Sequence, residues 1–257
     1  MPSLFKFFSK FAILFLNTKQ CEAIIFPEID EDLWIEKTDL DVIDLAISKI
    51  INNMEGEMTS IQVTNPPRIG SARISVSSDP AISIARDIRA DTSGAVSNIT
   101  VSLKGFPLYA YQSEYRQLAA DLPDLRAALR PVLAHEASHV RQIERGGSKM
   151  NDARDAASKA NRKAFETKQY ADYIAYVGNG IEIAAHATQL AVEVLATAST
   201  ISTESEFEQA ALKTWLWTHV ESNSTGHSLN PDDRAKIFSA VRERLLKNGW
   251  FAYRRLG

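Results

Sequence analysis

The sequence lacks several features that mark whole classes of protein. It has one cysteine, Cys21, among its 257 residues, so an intrachain disulfide and a cysteine-based zinc cluster are both excluded. It also lacks a basic excess: 29 lysines and arginines against 32 acidic residues leave a formal charge of −3, which predicts no nucleic-acid partner. With 45% hydrophobic and 24% charged residues, the composition is that of an ordinary globular protein.

No apolar run is long enough to span a bilayer. The most apolar segment, residues 4–16, is interrupted by two lysines, and its unbroken part is only residues 11–16. We predict that this segment forms an amphipathic helix that packs on the domain or makes a peripheral contact with a membrane surface. The alternative is a signal peptide, for which residues 21–23 offer the nearest small-x-small cleavage pattern.

The first half of the chain predicts a helix followed by strands. Residues 30–55 space their apolar side chains at three and four, which indicates an amphipathic helix. Residues 58–112 contain three short runs rich in Ile, Val, Ser and Thr, at 72–78, 81–88 and 97–105. Turn signals separate these runs, one of them at Asp91–Gly94, so the segment predicts a small antiparallel sheet.

Helices are predicted from residue 115 onward. Pro123-Asp124 and Pro131 are helix-start signals, because proline is tolerated in the first turn. Residues 181–197 are small and apolar, which indicates a buried helix, and a final helix is predicted from Asn230 to about Lys247. A small sheet followed by helices is an α+β fold. We predict one domain over 1–257, with an N-terminal helical segment (1–57), a strand-rich lobe (58–112) and a helical lobe (113–257).

The motif that carries chemistry is His135-Glu136-Ala137-Ser138-His139, on a predicted helix. Residues four apart lie on one helical face, so both imidazoles can bind one metal ion, and zinc suits imidazole. The glutamate is placed to take a proton from a metal-activated water molecule. This is the H-E-x-x-H signature of zinc-dependent peptidases, so it predicts a peptide or protein substrate.

Two other interpretations of the motif compete with the zinc site. In the first, the histidines and the glutamate are ordinary surface residues of a helix, or a buried His–Glu pair that binds no metal. In the second, Glu136 and His139 form half of a di-iron site. That site would need a second E-x-x-H, which His186, His219 and His227 do not provide.

A catalytic zinc takes three protein ligands, so a third is expected downstream. The longer metzincin motif is excluded, because Gln142 and Arg145 stand where it requires glycine and histidine. Glu182 is the best candidate, being a carboxylate in the first turn of an apolar helix. His186, one turn later, is either a supporting residue or an alternative ligand. The other acids considered are weaker candidates: Glu144, Glu166, Asp172 and Glu193.

The two segments HEASHVRQ and EIAAHA together resemble the small gluzincin-like peptidases common in bacteriophage and prophage genomes. Those proteins carry H-E-x-x-H-x-x-Q and, later, E-x-E-A-x-A. The resemblance covers about residues 131–190, and it departs from the family at Ala184, where the second glutamate of the later motif is expected. It implies a zincin-like fold and the following site: zinc ligands His135, His139 and Glu182, with Glu136 as the general base.

The resemblance also bears on location and on the alternative function. It implies a cytoplasmic or virion-associated protein, with secretion as the alternative if residues 1–23 act as a signal peptide. The competing function is that of a non-enzymatic phage or prophage protein, structural or interacting, that retains a degenerate zincin fold. Bound metal together with peptide hydrolysis separates the two functions.

Overall fold

The computed structural model describes the following residues: 34–54, 67–78, 89–93, 98–103, 126–146, 159, 180–198, 200–218 and 231–257. The chain divides into two compact units. The sheet unit comprises Trp34–Arg145 and Arg255–Gly257, and the helical unit comprises Met1–Leu33 and Gly146–Arg254. The described residues are mostly helical with one small sheet, so the predicted α+β class is confirmed at that level. Among the described helices, none combines the length and apolar character that crossing a bilayer requires.

The sheet unit contains a mixed sheet of four described strands in the order β1-β2-β4-β3. The strands are β1 (Arg68–Ile69), β2 (Ala72–Ser78), β3 (Arg89–Ser93) and β4 (Asn98–Leu103). The pairs β1–β2 and β3–β4 are antiparallel, as predicted, but β2 and β4 are parallel. The prediction of a wholly antiparallel sheet is therefore wrong for this central pair. The reason is that β4 inserts between β2 and β3 instead of adding beyond β3.

Strand β3 overlaps residues for which the sequence predicts a turn. The turn signal at Asp91–Gly94 is wrong in part, because Arg89–Ser93 pairs along its length with β4. Thr92, for example, lies opposite Ile99. Strand propensity depends strongly on cross-strand neighbours, so pairing with the Ile- and Val-rich β4 outweighs the weak preference of aspartate for strands. The neighbouring predicted strand at residues 81–88 lies outside the described residues.

Helix α1, Lys37–Met54, confirms the predicted amphipathic periodicity, but residues 34–36 of the predicted range precede the helix. Leu40, Ile43, Ile47 and Ile50 are spaced at three and four, and all four are buried. Each fully buried side chain of this kind contributes about 1.5–3 kcal/mol of transfer free energy. This apolar face is therefore the main reason that α1 packs in the sheet unit.

Helix α2 carries the H-E-x-x-H motif and is described at residues 126–146. Pro131 lies inside it, so the prediction that the helix begins at Pro131 is wrong. Proline removes one helical N–H and normally destabilises a helix interior. The apolar face of α2 offsets that loss, because five of its side chains are fully buried: Leu129, Leu133, Ala134, Ala137 and Val140.

The helical unit contains α3 (Gly180–Thr197), α4 (Glu204–Ala211) and most of α5 (Pro231–Leu256). Helix α3 begins at Gly180, one residue before the predicted start at residue 181, and most of its residues are buried, which confirms the buried helix. Helix α4 begins with a capping box, in which Thr203 and Glu206 satisfy each other's backbone N–H groups.

Helix α5 continues to Leu256, beyond the predicted end near Lys247. Gly249 does not stop it. A Cβ atom at this position would come within 3.0 Å of the Phe207 ring, so the missing side chain lets that ring pack closely. The rings of Phe207 and Tyr253 lie 5.5 Å apart, and Tyr253 is buried in the last turns of α5.

Candidate metal centre

The polar side chains of the H-E-x-x-H motif are buried on α2. His135 is 7% exposed, and Glu136 and His139 are each 9% exposed. Gln142, one turn after His139, is 2% exposed. Such residues are seldom buried unless they are paired or bound to a metal. Their burial disfavours the interpretation in which they are ordinary surface residues.

The two motif histidines present ring nitrogens to each other. The Nε2 atoms of His135 and His139 lie 3.1 Å apart, and the rings are nearly perpendicular at 85°. Two nitrogens bound to one tetrahedral zinc at about 2.0–2.1 Å would lie about 3.3 Å apart. The helical spacing of four therefore brings both imidazoles close to the separation that a shared metal ion requires.

Gln142 determines which nitrogen of His139 carries a proton. The Nδ1 atom of His139 lies 3.0 Å from the side-chain oxygen of Gln142, which can only accept, so Nδ1–H is the donor. In the neutral ring this leaves the lone pair on Nε2, the nitrogen that faces His135. A hydrogen bond of this kind orients a metal-binding imidazole and sets its tautomer.

His135 also belongs to a second grouping of possible metal ligands, which does not include His139. Among the described residues, His135, Glu182 and His186 form a group whose ligand atoms all lie within 4.8 Å of one another, and this group could hold a metal ion. Glu182 and His186 are one turn apart on α3, and Glu182 is 6% exposed. His186 lies in this group beside Glu182, as either of its two predicted roles requires.

Two weaker candidates for the third ligand are engaged elsewhere. Glu144 accepts the backbone N–H and the hydroxyl of Ser71, at 2.6 and 2.8 Å. Glu193 accepts the backbone N–H of Leu216 at 3.0 Å and an amide N–H of Gln189 at 3.2 Å. Burial raises the pKa of Glu193 by penalising its charged form, and these hydrogen bonds oppose that shift. The other two acids, Glu166 and Asp172, lie outside the described residues.

Comparisons with known proteins provide no related site with which this centre can be compared. Its assignment depends on the chemistry and geometry of this chain's own residues. No protein-family model, no curated protein and no solved structure matches the chain.

Proposed function

We propose that the chain is a zinc-dependent peptidase of the gluzincin type with a zincin-like fold. In this proposal His135, His139 and Glu182 bind zinc, and Glu136 is the general base. The observation that carries it is the separation of 3.1 Å between the Nε2 atoms of the two motif histidines on α2. The grouping of Glu182 with His135 supports the third ligand.

The donor set suits zinc. Imidazole nitrogen and carboxylate oxygen are its usual ligands in catalytic sites, and two histidines with one glutamate form a known catalytic set. When bound, zinc would lower the pKa of a water molecule towards neutrality and polarise a peptide carbonyl. The single cysteine, Cys21, leaves nitrogen and oxygen donors as the main choice in this chain.

The remaining chemistry belongs to side chains of α2. Glu136 follows His135 directly and is 9% exposed, so its carboxylate would act where bulk water is largely excluded. There it accepts the proton of the attacking water and returns a proton to the leaving amine. Gln142 keeps the His139 lone pair on Nε2 throughout. The substrate class that follows from these roles is a peptide or protein.

Purified protein should contain about one zinc ion per chain and lose it to a strong chelator. Zinc that binds only the folded state should also raise the unfolding temperature, by an amount that grows with the logarithm of the free zinc concentration once this exceeds the dissociation constant. Elemental analysis and thermal unfolding with and without zinc measure both effects. A protein that contains no zinc, takes up none and melts at the same temperature in its presence contradicts the proposal.

Gln142→Ala should lower the affinity for zinc about tenfold, because outer hydrogen-bond partners of metal ligands are typically worth about 10- to 100-fold. Competition with a coloured chelator measures the affinity. Gln189→Ala is the matched control, since Gln189 is also a buried glutamine, 5% exposed, but donates to Glu193. Equal affinities in the two variants would show that Gln142 does not orient His139.

A second candidate function is a structural zinc site in a non-enzymatic protein. The observation that favours it is the presence of His186 in the group, with His139 beside His135, since four protein donors close a zinc site. A library of unstructured peptides, incubated with the zinc-loaded protein and analysed by mass spectrometry, separates the two functions. New cleavage products support the peptidase, and an intact library supports the structural site.

A further inference from the structure

Arg141 of α2 forms an ion pair that the zinc chemistry does not use. Its guanidinium binds Asp39 of α1 twice, with Nη2 2.6 Å from Oδ1 and Nε 3.1 Å from Oδ2. The same carboxylate accepts the backbone N–H of Glu36 at 3.0 Å, just before α1 begins. The Asp39 side chain is only 3% exposed, and its hydrogen bonds to Arg141 raise the pKa of the guanidinium. This pair therefore ties α2 firmly to the first turn of α1.

Glu144 extends the connection from Arg141 to the sheet. One of its oxygens lies 3.3 Å from Nη1 of Arg141, and the other accepts both the backbone N–H and the hydroxyl of Ser71. Ser71 follows Gly70, whose φ of 55° lies in the left-handed region. A Cβ atom at Gly70 would also collide with the Glu144 carboxylate. The turn between β1 and β2 thus has glycine, which carries no side chain, at the position that Glu144 approaches.

Arg130 provides an internal comparison on the same helix. It binds Asp44 of α1 with the same two-bond geometry, at 2.8 and 3.1 Å. The Asp44 side chain, however, is 37% exposed, against 3% for Asp39. Water can replace the bonds of a partly exposed pair, whereas a buried carboxylate depends on its partner. The Arg141 pair is therefore the stricter constraint on α2.

Arg141 and the two imidazoles of the motif lie on different sides of α2. A helix turns about 100° per residue, so Arg141 is about 200° from His139 around the axis. It is thus too far round the helix to bind the same metal ion. Metal sites need their ligands held within about 0.5 Å and 10–20°. A rotation of α2 about its own axis by more than this angle would misalign both imidazoles. The bonds of Arg141 to Asp39 oppose that rotation.

We propose that Arg141 is a positioning residue for the candidate metal centre. It fixes the rotation of α2 against α1 and the β1–β2 turn, and therefore the direction in which His135 and His139 together present their imidazoles to a metal ion. This inference rests on the proposed function, because it concerns the same zinc. It predicts that zinc binding depends on the geometry of the Arg141 pair and not only on its charge.

Arg141→Lys, with Arg130→Lys as the matched control, tests this inference. Lysine keeps the charge but cannot form the two-bond fork with a carboxylate. We expect Arg141→Lys to lower zinc affinity about tenfold, the lower end of the effect of outer partners of metal ligands. We also expect it to change the visible absorption of the cobalt-substituted protein, which reports ligand geometry. Arg130→Lys should leave both properties as in the wild type.

The outcomes distinguish positioning from a merely structural role. A structural role lowers the unfolding temperature of the zinc-free variants but leaves zinc affinity and the cobalt spectrum unchanged, and that result overturns the inference. If Arg141→Lys does not fold, Glu144→Gln replaces it, because it removes only the charged link from Arg141 to Ser71, and the same two readouts apply. A wild type that binds neither zinc nor cobalt overturns the proposed function, and the inference with it.

Discussion

Glu182→Gln should lower the affinity for zinc by at least about 100-fold, since even outer partners of metal ligands are worth about 10- to 100-fold. The amide is neutral and a much weaker donor than the carboxylate. The substitution would leave two imidazoles from the motif, whereas a catalytic zinc requires three protein ligands. Glu182 is 6% exposed and lies in the group that could hold a metal ion, so bulk water cannot simply replace it. Chelator competition on the purified variant measures the loss.

Two further variants make the result specific to Glu182. Glu193→Gln is the matched control, because Glu193 also lies on α3 and is partly buried but accepts the N–H of Leu216. It should bind zinc as the wild type does. His186→Ala should have a smaller effect than Glu182→Gln. The reverse order, with affinity kept in Glu182→Gln and lost in His186→Ala, would show that the ligands are three histidines and that the gluzincin assignment is wrong.

Glu136→Gln should abolish peptide hydrolysis while zinc remains bound. An amide of the same shape cannot take the proton from the attacking water, and loss of a general base typically lowers the rate by about 10²- to 10⁴-fold. Zinc content should stay near one per chain, because Glu136 is not among the proposed ligands. Cleavage of an unstructured peptide library, followed by mass spectrometry, measures the rate, and elemental analysis measures the metal.

A surface glutamate provides the control for this experiment. Glu208 pairs with Arg242, both side chains are about two-fifths exposed, and neither belongs to the candidate centre. Glu208→Gln should therefore cleave the library at the wild-type rate. If Glu136→Gln cleaves as fast as Glu208→Gln does, another group accepts the proton, and Glu136 has to be removed from the mechanism.

Local patterns were sufficient for several elements. The three-and-four spacing of α1 and the Ile- and Val-rich runs of β2 and β4 are properties of short segments, and the structure confirms all three. The H-E-x-x-H spacing is likewise local. It predicts that His135 and His139 share a helical face, and their Nε2 atoms are indeed 3.1 Å apart. These predictions succeed because neighbours in sequence determine the periodicity of a helix or strand.

The sequence-based predictions were wrong where a local preference was outweighed by contact with residues distant in the sequence. The turn signal at Asp91–Gly94 is overridden by pairing with β4. Pro131, a helix-start residue by its own preference, lies inside a helix whose apolar face is buried. Gly249 permits close packing of Phe207 instead of ending α5. In each case a tertiary contact outweighed a propensity worth at most about 1–3 kcal/mol.

The sequence by itself determined which functional groups are present: two imidazoles and a carboxylate at H-E-x-x-H spacing, a downstream carboxylate at Glu182, and no cysteine cluster. It also determined which segments become α1, α3 and β2, because hydrophobic periodicity is a local property. Only the tertiary structure decided that His186 joins His135 and Glu182. It alone paired Asp39 with Arg141, 102 residues later in the chain. No local rule specifies such a pair, because its energy comes from burial and geometry that exist only after the chain has folded.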